Sequence, residues 1–217
     1  MKRNRVVAIG NFDGFHLGHK EIIKELYRLR DRQGYEPMLV TFDPNPKVFF
    51  GIEERLILTL KQKKAFLIEM GLCDSTFFDF HQVSRMSGRD FVEKKLIGEL
   101  GMVHVIVGYN FKFGKNREWD IESLKKLSKE LGFGLTVISP ILLNSERVSS
   151  TLIRKKILEG QVSEAAKLLG HYFYIDGIIV RGSGRGHKIG YPTVNISTES
   201  QLFPLGVLQT ELRIENE

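Results

Sequence analysis

The stretch Gly10-Asn-Phe-Asp-Gly-Phe-His-Leu-Gly-His19 constrains this chain more than any other. It follows the apolar, largely β-branched run Val6-Val7-Ala8-Ile9 and opens an amphipathic helical pattern, so it reads as strand, tight glycine turn and helix start. Such a junction turns backbone N–H groups and the positive end of a helix toward an anion. Here it also carries His16 and His19, three residues apart and therefore on one helical face. The pattern predicts a phosphate site armed with imidazoles. Two other readings compete for the histidines: half of a metal site, or simple capping and packing at a helix start. Zinc usually takes three or four protein ligands, and His81, His104, His171, His187 and Cys73 fall into no ligand-spaced group. Phosphate handling is the reading the pattern favours.

The strand-then-helix alternation continues along the chain. Periodicity predicts strands near 5–9, 36–42, 75–80, 103–107 and 134–138, separated by helices near 17–33, 59–70, 87–100 and 120–131. Thr59-x-x-Gln62 and Ser87-x-x-Asp90 read as capping boxes, and Gly71, Gly101 and Gly132 stand where helices end. Strands separated by helices of this length need right-handed crossovers on a parallel sheet. A doubly wound α/β domain is expected over residues 1–170, closed by helices at 151–160 and 163–169. From His171 the texture changes to strand-like runs and glycine turns without helix, so 171–217 reads as a second, small all-β domain.

Polar, glycine-bearing stretches fall directly after strands: Gly10 to His19, Asp43-Pro-Asn-Pro46, and Gly108-Tyr-Asn-Phe-Lys-Phe-Gly114. Ligands of open α/β sheets bind beyond the strand carboxyl ends, so three distant segments are expected to converge on one pocket. Val148-Ser-Ser-Thr-Leu-Ile-Arg154 has two readings of equal weight: phosphate donors with a guanidinium beside them, or an N-cap cluster with a surface arginine. The domain lacks Gly-x-x-x-x-Gly-Lys-Ser/Thr, which argues against a P-loop kinase.

Of the 217 residues 42% are hydrophobic, which suits a globular chain, and one cysteine excludes an intrachain disulfide. The N-terminus lacks a signal-peptide core and no run approaches a membrane span, so a soluble cytoplasmic protein without membrane partners is expected. The net charge of +6 gathers at Lys61-Gln-Lys-Lys64, Lys112 to Arg117, Lys125-Lys126 and Arg154-Lys155-Lys156. Interspersed acids make most of these ordinary solvated faces. The remainder suits a small anionic substrate better than a nucleic acid. Nothing in these residues defines an oligomeric state.

Taken in order, Gly10-x-Phe-Asp-Gly-x-His-x-Gly-His19, Thr41-Phe-Asp-Pro-x-Pro46, Val107-Gly-Tyr-Asn-Phe-x-Phe-Gly114, Val148-Ser-Ser-Thr-x-Ile-Arg154 and Gly190-Tyr-Pro-Thr-x-Asn195 resemble the bacterial bifunctional riboflavin kinase/FMN adenylyltransferases, or FAD synthetases. The resemblance implies a Rossmann-like nucleotidyltransferase domain followed by an incomplete riboflavin kinase β-barrel. It implies transfer of AMP from Mg²⁺-bound ATP to FMN, releasing pyrophosphate and FAD. By similarity His16, His19 and Arg154 are catalytic. Gly10, Asn11, Phe12, Asp13, Gly14 and Gly18 form the nucleotide turn, Asp43 and Asn45 lie on the substrate side, and Asn110 lies by the nucleotide. Ser149, Ser150 and Thr151 contact phosphates from the other side. In the kinase module Gly184, Thr193 and Asn195 would serve ATP, with Thr193 and Asn195 supplying oxygens to Mg²⁺. The chain departs from the pattern with Asn45 where relatives often have histidine, Asn110 where many have aspartate, and Leu208 where tyrosine is usual. It stops at Glu217, before the family's catalytic kinase glutamate, so loss of riboflavin kinase activity is expected.

Overall fold

The computed structural model of the chain describes residues 4–52, 55–72, 74–182, 186, 190–191 and 193–214. In chain order its strands are β1 Arg5–Ile9, β2 Glu36–Asp43, β3 Ser75–Asp79, β4 Met102–Gly108, β5 Gly134–Ile138, β6 Leu142–Leu143, β7 Glu146–Arg147, β8 Ile178–Val180 and β9 Asn195–Ser197. Its α-helices are α1 Leu17–Gln33, α2 Pro46–Phe49, α3 Leu60–Glu69, α4 Phe80–Val83, α5 Gly88–Asp90, α6 Ile121–Leu131, α7 Ser150–Leu158 and α8 Val162–Leu169, with a π-helix at Phe91–Glu99.

The first five strands form one parallel sheet in the order β3-β2-β1-β4-β5. β1 is central because it is apolar on both faces. Val6 and Ala8 enter a core shared with α1, α3, α7 and α8, while Val7 and Ile9 enter a second core shared with the π-helix and α6. That alternation is what a strand covered by helices on both sides requires. The order reverses between β1 and β4, so the carboxyl ends of these two strands flank the switch point where doubly wound sheets open a crevice. The expected doubly wound class is therefore present.

Local signals hold in most places. Thr59 and Gln62 make the full reciprocal box: the Thr59 hydroxyl accepts from the Gln62 N–H at 3.2 Å, and Gln62 Oε1 accepts from the Thr59 N–H at 2.8 Å. At Ser87 only half forms, because the Asp90 carboxylate accepts from the Ser87 hydroxyl at 3.1 Å instead of from the backbone. Aspartate is one methylene shorter than the residues that close such a box. The single α-helix expected over 87–100 is also split, α5 giving way to the π-helix. Its wider turn sets Phe91, Val92 and Leu96 together in the second core.

Beyond Gly170 the structure differs in detail from the sequence expectation. Residues 171–177 lie outside any strand, and β8 begins only at Ile178, where it pairs antiparallel with β9. This two-stranded ribbon fits an incomplete barrel. Several described residues tie the segment to the α/β body, Phe173 and Tyr174 by packing among them. His171 Nε2 lies 2.9 Å from the Gly14 carbonyl, Gln62 Nε2 donates to Asp176 Oδ1 at 2.7 Å, and Leu202 is 1% exposed inside the first core. Among the described residues no helix is long and apolar enough to cross a membrane.

Candidate active site

The expected convergence is present, although of Asp43-Pro-Asn-Pro46 only Pro46 reaches the cleft. A cleft of about 360 Å³ opens at the switch point, lined by Gly10, Asn11, His16, Gly18 and His19 after β1, by Gly108 to Gly114 after β4, and by Ser149, Ser150 and Thr151 at the start of α7. The helix starts of α1 and α7 thus both border it. Free N–H groups at such ends favour negative charge.

His16 is the N-cap of α1, its Nδ1 accepting from the His19 N–H at 3.4 Å. The two imidazoles stack at 3.6 Å with 15° between their planes, and the Phe12 ring packs against His19 at 5.1 Å. Gly18 makes this possible: a Cβ there would stand 3.1 Å from the His16 ring. Burial lowers the His16 pKa to about 4. Burial, the facing His16 and the charge of Lys63 hold His19 well below the usual histidine range. Both rings are therefore neutral near pH 7, each with one N–H to donate. His19 Nδ1 is buried with no hydrogen-bond partner among the described residues.

Not every residue singled out in the sequence faces this space. Arg154 is neither a surface residue nor part of the cleft wall. It is 4% exposed, donates from Nε to the Arg55 carbonyl at 2.7 Å, and pairs with Asp13 Oδ2 at 2.9 Å. Asp13 is likewise turned inward, its Oδ1 accepting from the Ile57 and Leu58 N–H groups at 2.9 and 3.3 Å. Burial raises the Asp13 pKa, against the pull of Arg154, Lys63 and the Leu58 N–H. The pair is an internal strut that fastens α7 and the 55–58 segment to the back of the turn. Ser150 adds to it by donating to the Asp13 carbonyl at 2.8 Å. Ser149 Oγ is spent on capping α7, accepting from the Leu152 N–H at 3.3 Å. Ser149 and Ser150 thus cap and brace, Arg154 fits neither reading of this motif, and the helix start itself borders the cleft.

Phe12 is fully buried, and Gly14, at φ +89°, is enclosed by Ile57 and Leu169; neither lines the cleft. Asp43 is exposed at the end of β2, and Asn45 is buried as the cap of α2, accepting from the Lys47 N–H at 2.9 Å. Asn110 lies on the wall. The structure adds an aromatic side of Phe42, Phe50, Phe80, Phe111 and Phe113, and three cations, Lys47, Lys112 and Arg117. Among the described residues no Asp or Glu lines the cleft, and no group of three or more His, Cys, Asp or Glu could hold a metal ion. As one aromatic side these rings escaped the sequence reading because they come from four separate segments, although Phe111 and Phe113 stand inside the Gly108–Gly114 stretch expected at the pocket.

Comparison with known proteins decides the family. The FAD synthetase family model matches residues 1–152 and the riboflavin kinase model matches 169–217. The chain belongs to the FAD synthetase family. Similar proteins named bifunctional riboflavin kinase/FMN adenylyltransferase occur in Buchnera aphidicola subsp. Schizaphis graminum and in Listeria monocytogenes. The first is 34% identical over 92% of this chain and 65% of its own length; the second is 33% identical over 99% and 69%. The Escherichia coli K12 relative is 32% identical over 95% of this chain and 67% of its own length. The chain thus spans about two thirds of the length of these FAD synthetases. A solved structure titled as a macrolide-efflux protein from Streptococcus pneumoniae superposes with a TM-score of 0.81 at 26% identity, covering 94% of this chain and 67% of that one. In this FAD synthetase family member the second matched stretch contains the β8–β9 ribbon. Thr193 and Asn195 are exposed there, Asn195 opposite Val180 in the ribbon, and Gly184 lies outside the described residues.

Proposed function

We propose that residues 1–170 transfer AMP from ATP to FMN, forming FAD and releasing pyrophosphate. The observation that carries this reading is one cleft, lined by no carboxylate among the described residues, that combines two helix starts and two neutral imidazoles with a set of phenylalanine rings. The former suit a triphosphate and the latter a flat, apolar ring system such as a flavin. Membership in the FAD synthetase family supports it further.

In this reading a phosphate oxygen of FMN attacks the α-phosphorus of ATP in line with the bridging oxygen to the β-phosphorus. That bond breaks and pyrophosphate departs. The turn at Gly10 and Asn11 and the end of α1 hold the triphosphate through N–H groups, with Ser149 to Thr151 facing it from α7. His16 and His19 donate hydrogen bonds to the departing oxygens, where negative charge grows. Neutral imidazoles suit this, since the charge arriving with substrate is what draws a proton onto them. The cleft wall offers no carboxylate cage, so Mg²⁺ fits as part of the substrate, Mg-ATP, held by phosphate oxygens. Arg154 and Asp13 act as positioning residues behind the turn.

Purified protein incubated with FMN, ATP and Mg²⁺ should yield FAD by chromatography and an equal amount of pyrophosphate. Folded protein that releases pyrophosphate with nicotinamide mononucleotide or phosphopantetheine but not with FMN would overturn the assignment of the acceptor.

A further inference from the structure

Lys63 is the one charged side chain of the Lys61-Gln-Lys-Lys64 run that is not on a solvated face. Lys61 and Lys64 are exposed, whereas Lys63 is 4% exposed, on the side of α3 that also buries Gln62 and Leu67. Its stem crosses under the nucleotide turn, and its Nζ donates to the Asn11 carbonyl at 2.8 Å. The same oxygen accepts from the fully buried Thr41 hydroxyl at 3.3 Å. Both lone pairs of the carbonyl are used, and the peptide that starts the turn is fixed from below.

A neutral donor such as Thr41 is enough to hold a carbonyl, and burying an ammonium costs far more than burying a hydroxyl. Among the described residues Lys63 forms no ion pair; the carboxylates in its field are Asp13 and Asp43, and Asp13 is already engaged by Arg154. The positive charge is therefore incompletely offset in the free protein, directly behind a turn whose front is a cleft without carboxylates. An anion in that cleft would complete the balance.

We propose that Lys63 is a positioning residue of the nucleotide site, locking the Asn11 carbonyl from behind the turn and supplying a fixed positive charge to the triphosphate without touching it. This rests on the nucleotide reading of the cleft. The same charge reaches His19, which is faced by His16 across the stack, by Lys63 from α3, and by the uncharged rings of Phe12 and Phe15. Removing it relieves one of the causes that depress His19 protonation.

Three variants of the full chain separate bond from charge. Lys63→Gln keeps a donor without charge, Lys63→Arg keeps the charge, and Lys63→Met loses both. Binding of Mg-ATP, measured by calorimetry without FMN, should weaken about tenfold in the Gln and Met variants, the size expected for a unit charge about 10 Å away at an effective dielectric constant of about 20. It should be largely kept in the Arg variant. NMR titration of the histidines without nucleotide should show the His19 midpoint moving upward in the Gln variant, which a purely structural lysine would not cause. Lys63→Gln binding ATP as tightly as the parent, or an unmoved His19 midpoint, overturns the proposal. Parent protein that binds no ATP would sink the nucleotide reading instead, and the His19 titration would still decide whether this charge reaches the cleft.

Discussion

Val6-Val7-Ala8-Ile9 in β1 and Ile178-Ile179-Val180 in β8 are nearly interchangeable as text, yet the first run is 0–1% exposed and the second 42–75% exposed. β1 has a hydrogen-bonded neighbour on each edge and helices over both faces. Among the described residues β8 has one partner, β9, and none of its three residues enters either core. Apolar character makes a strand; the number of layers around it decides whether that strand becomes a core. The tail is held by a few anchors rather than by its own packing, and Leu202 is the one it buries completely.

Mutations that treat the two regions differently break or sharpen this contrast. The largest effect is expected in the body. Arg154→Met strands the Asp13 carboxylate in the interior, and removal of one partner of a buried pair costs about 3–5 kcal/mol. Denaturant unfolding reads this directly, and a loss below about 1 kcal/mol, the scale of a surface pair, would show that the strut is dispensable. Next is the tail's anchor: Leu202→Ala should cost about 3 kcal/mol, while hydrogen exchange quickens in residues 171–182 and 193–214 and leaves β1 protected. Equal loss of protection in β1 would mean that the two regions unfold as one. His19→Ala should lower kcat about a hundredfold, worth about 2.7 kcal/mol of transition-state stabilisation, with a smaller change in ATP affinity. A folded variant with parental kcat removes His19 from the chemistry. Smallest is Ile179→Ser on the exposed ribbon, expected within about 0.5 kcal/mol of the parent in the same unfolding experiment. A larger loss would reveal a hidden layer over β8.

Much of this was legible in the residues. Short apolar, β-branched runs between helical periods place all five sheet strands, because each strand and crossover helix carries its own local signal. The turn after β1 is equally local, with its glycines and imidazoles inside ten residues. What escaped depends on partners far along the chain. Arg154 reads as a phosphate ligand or a surface charge because its carboxylate, Asp13, lies 141 residues away. Lys63 is hidden by the exposed lysines that flank it, and its acceptor, the Asn11 carbonyl, carries no side-chain signature at all. The split of the helix at 91–99 into a π-turn is a matter of backbone pitch to which apolar spacing is nearly blind.

The turn at residues 10–19 illustrates how order of synthesis and order of completion diverge. It leaves a ribosome before its partners do, yet Asp13 is clasped by residues 57, 58 and 154, and Gly14 by His171, across separations of up to 157 residues. A nascent chain that has reached only residue 150 has every letter of the motif and lacks both Arg154 and His171. Contacts this distant in sequence form slowly, since each must close a long loop before it gives anything back. The turn is synthesised before the residues that finish it, and until they arrive the growing chain carries its imidazoles on an unbraced loop.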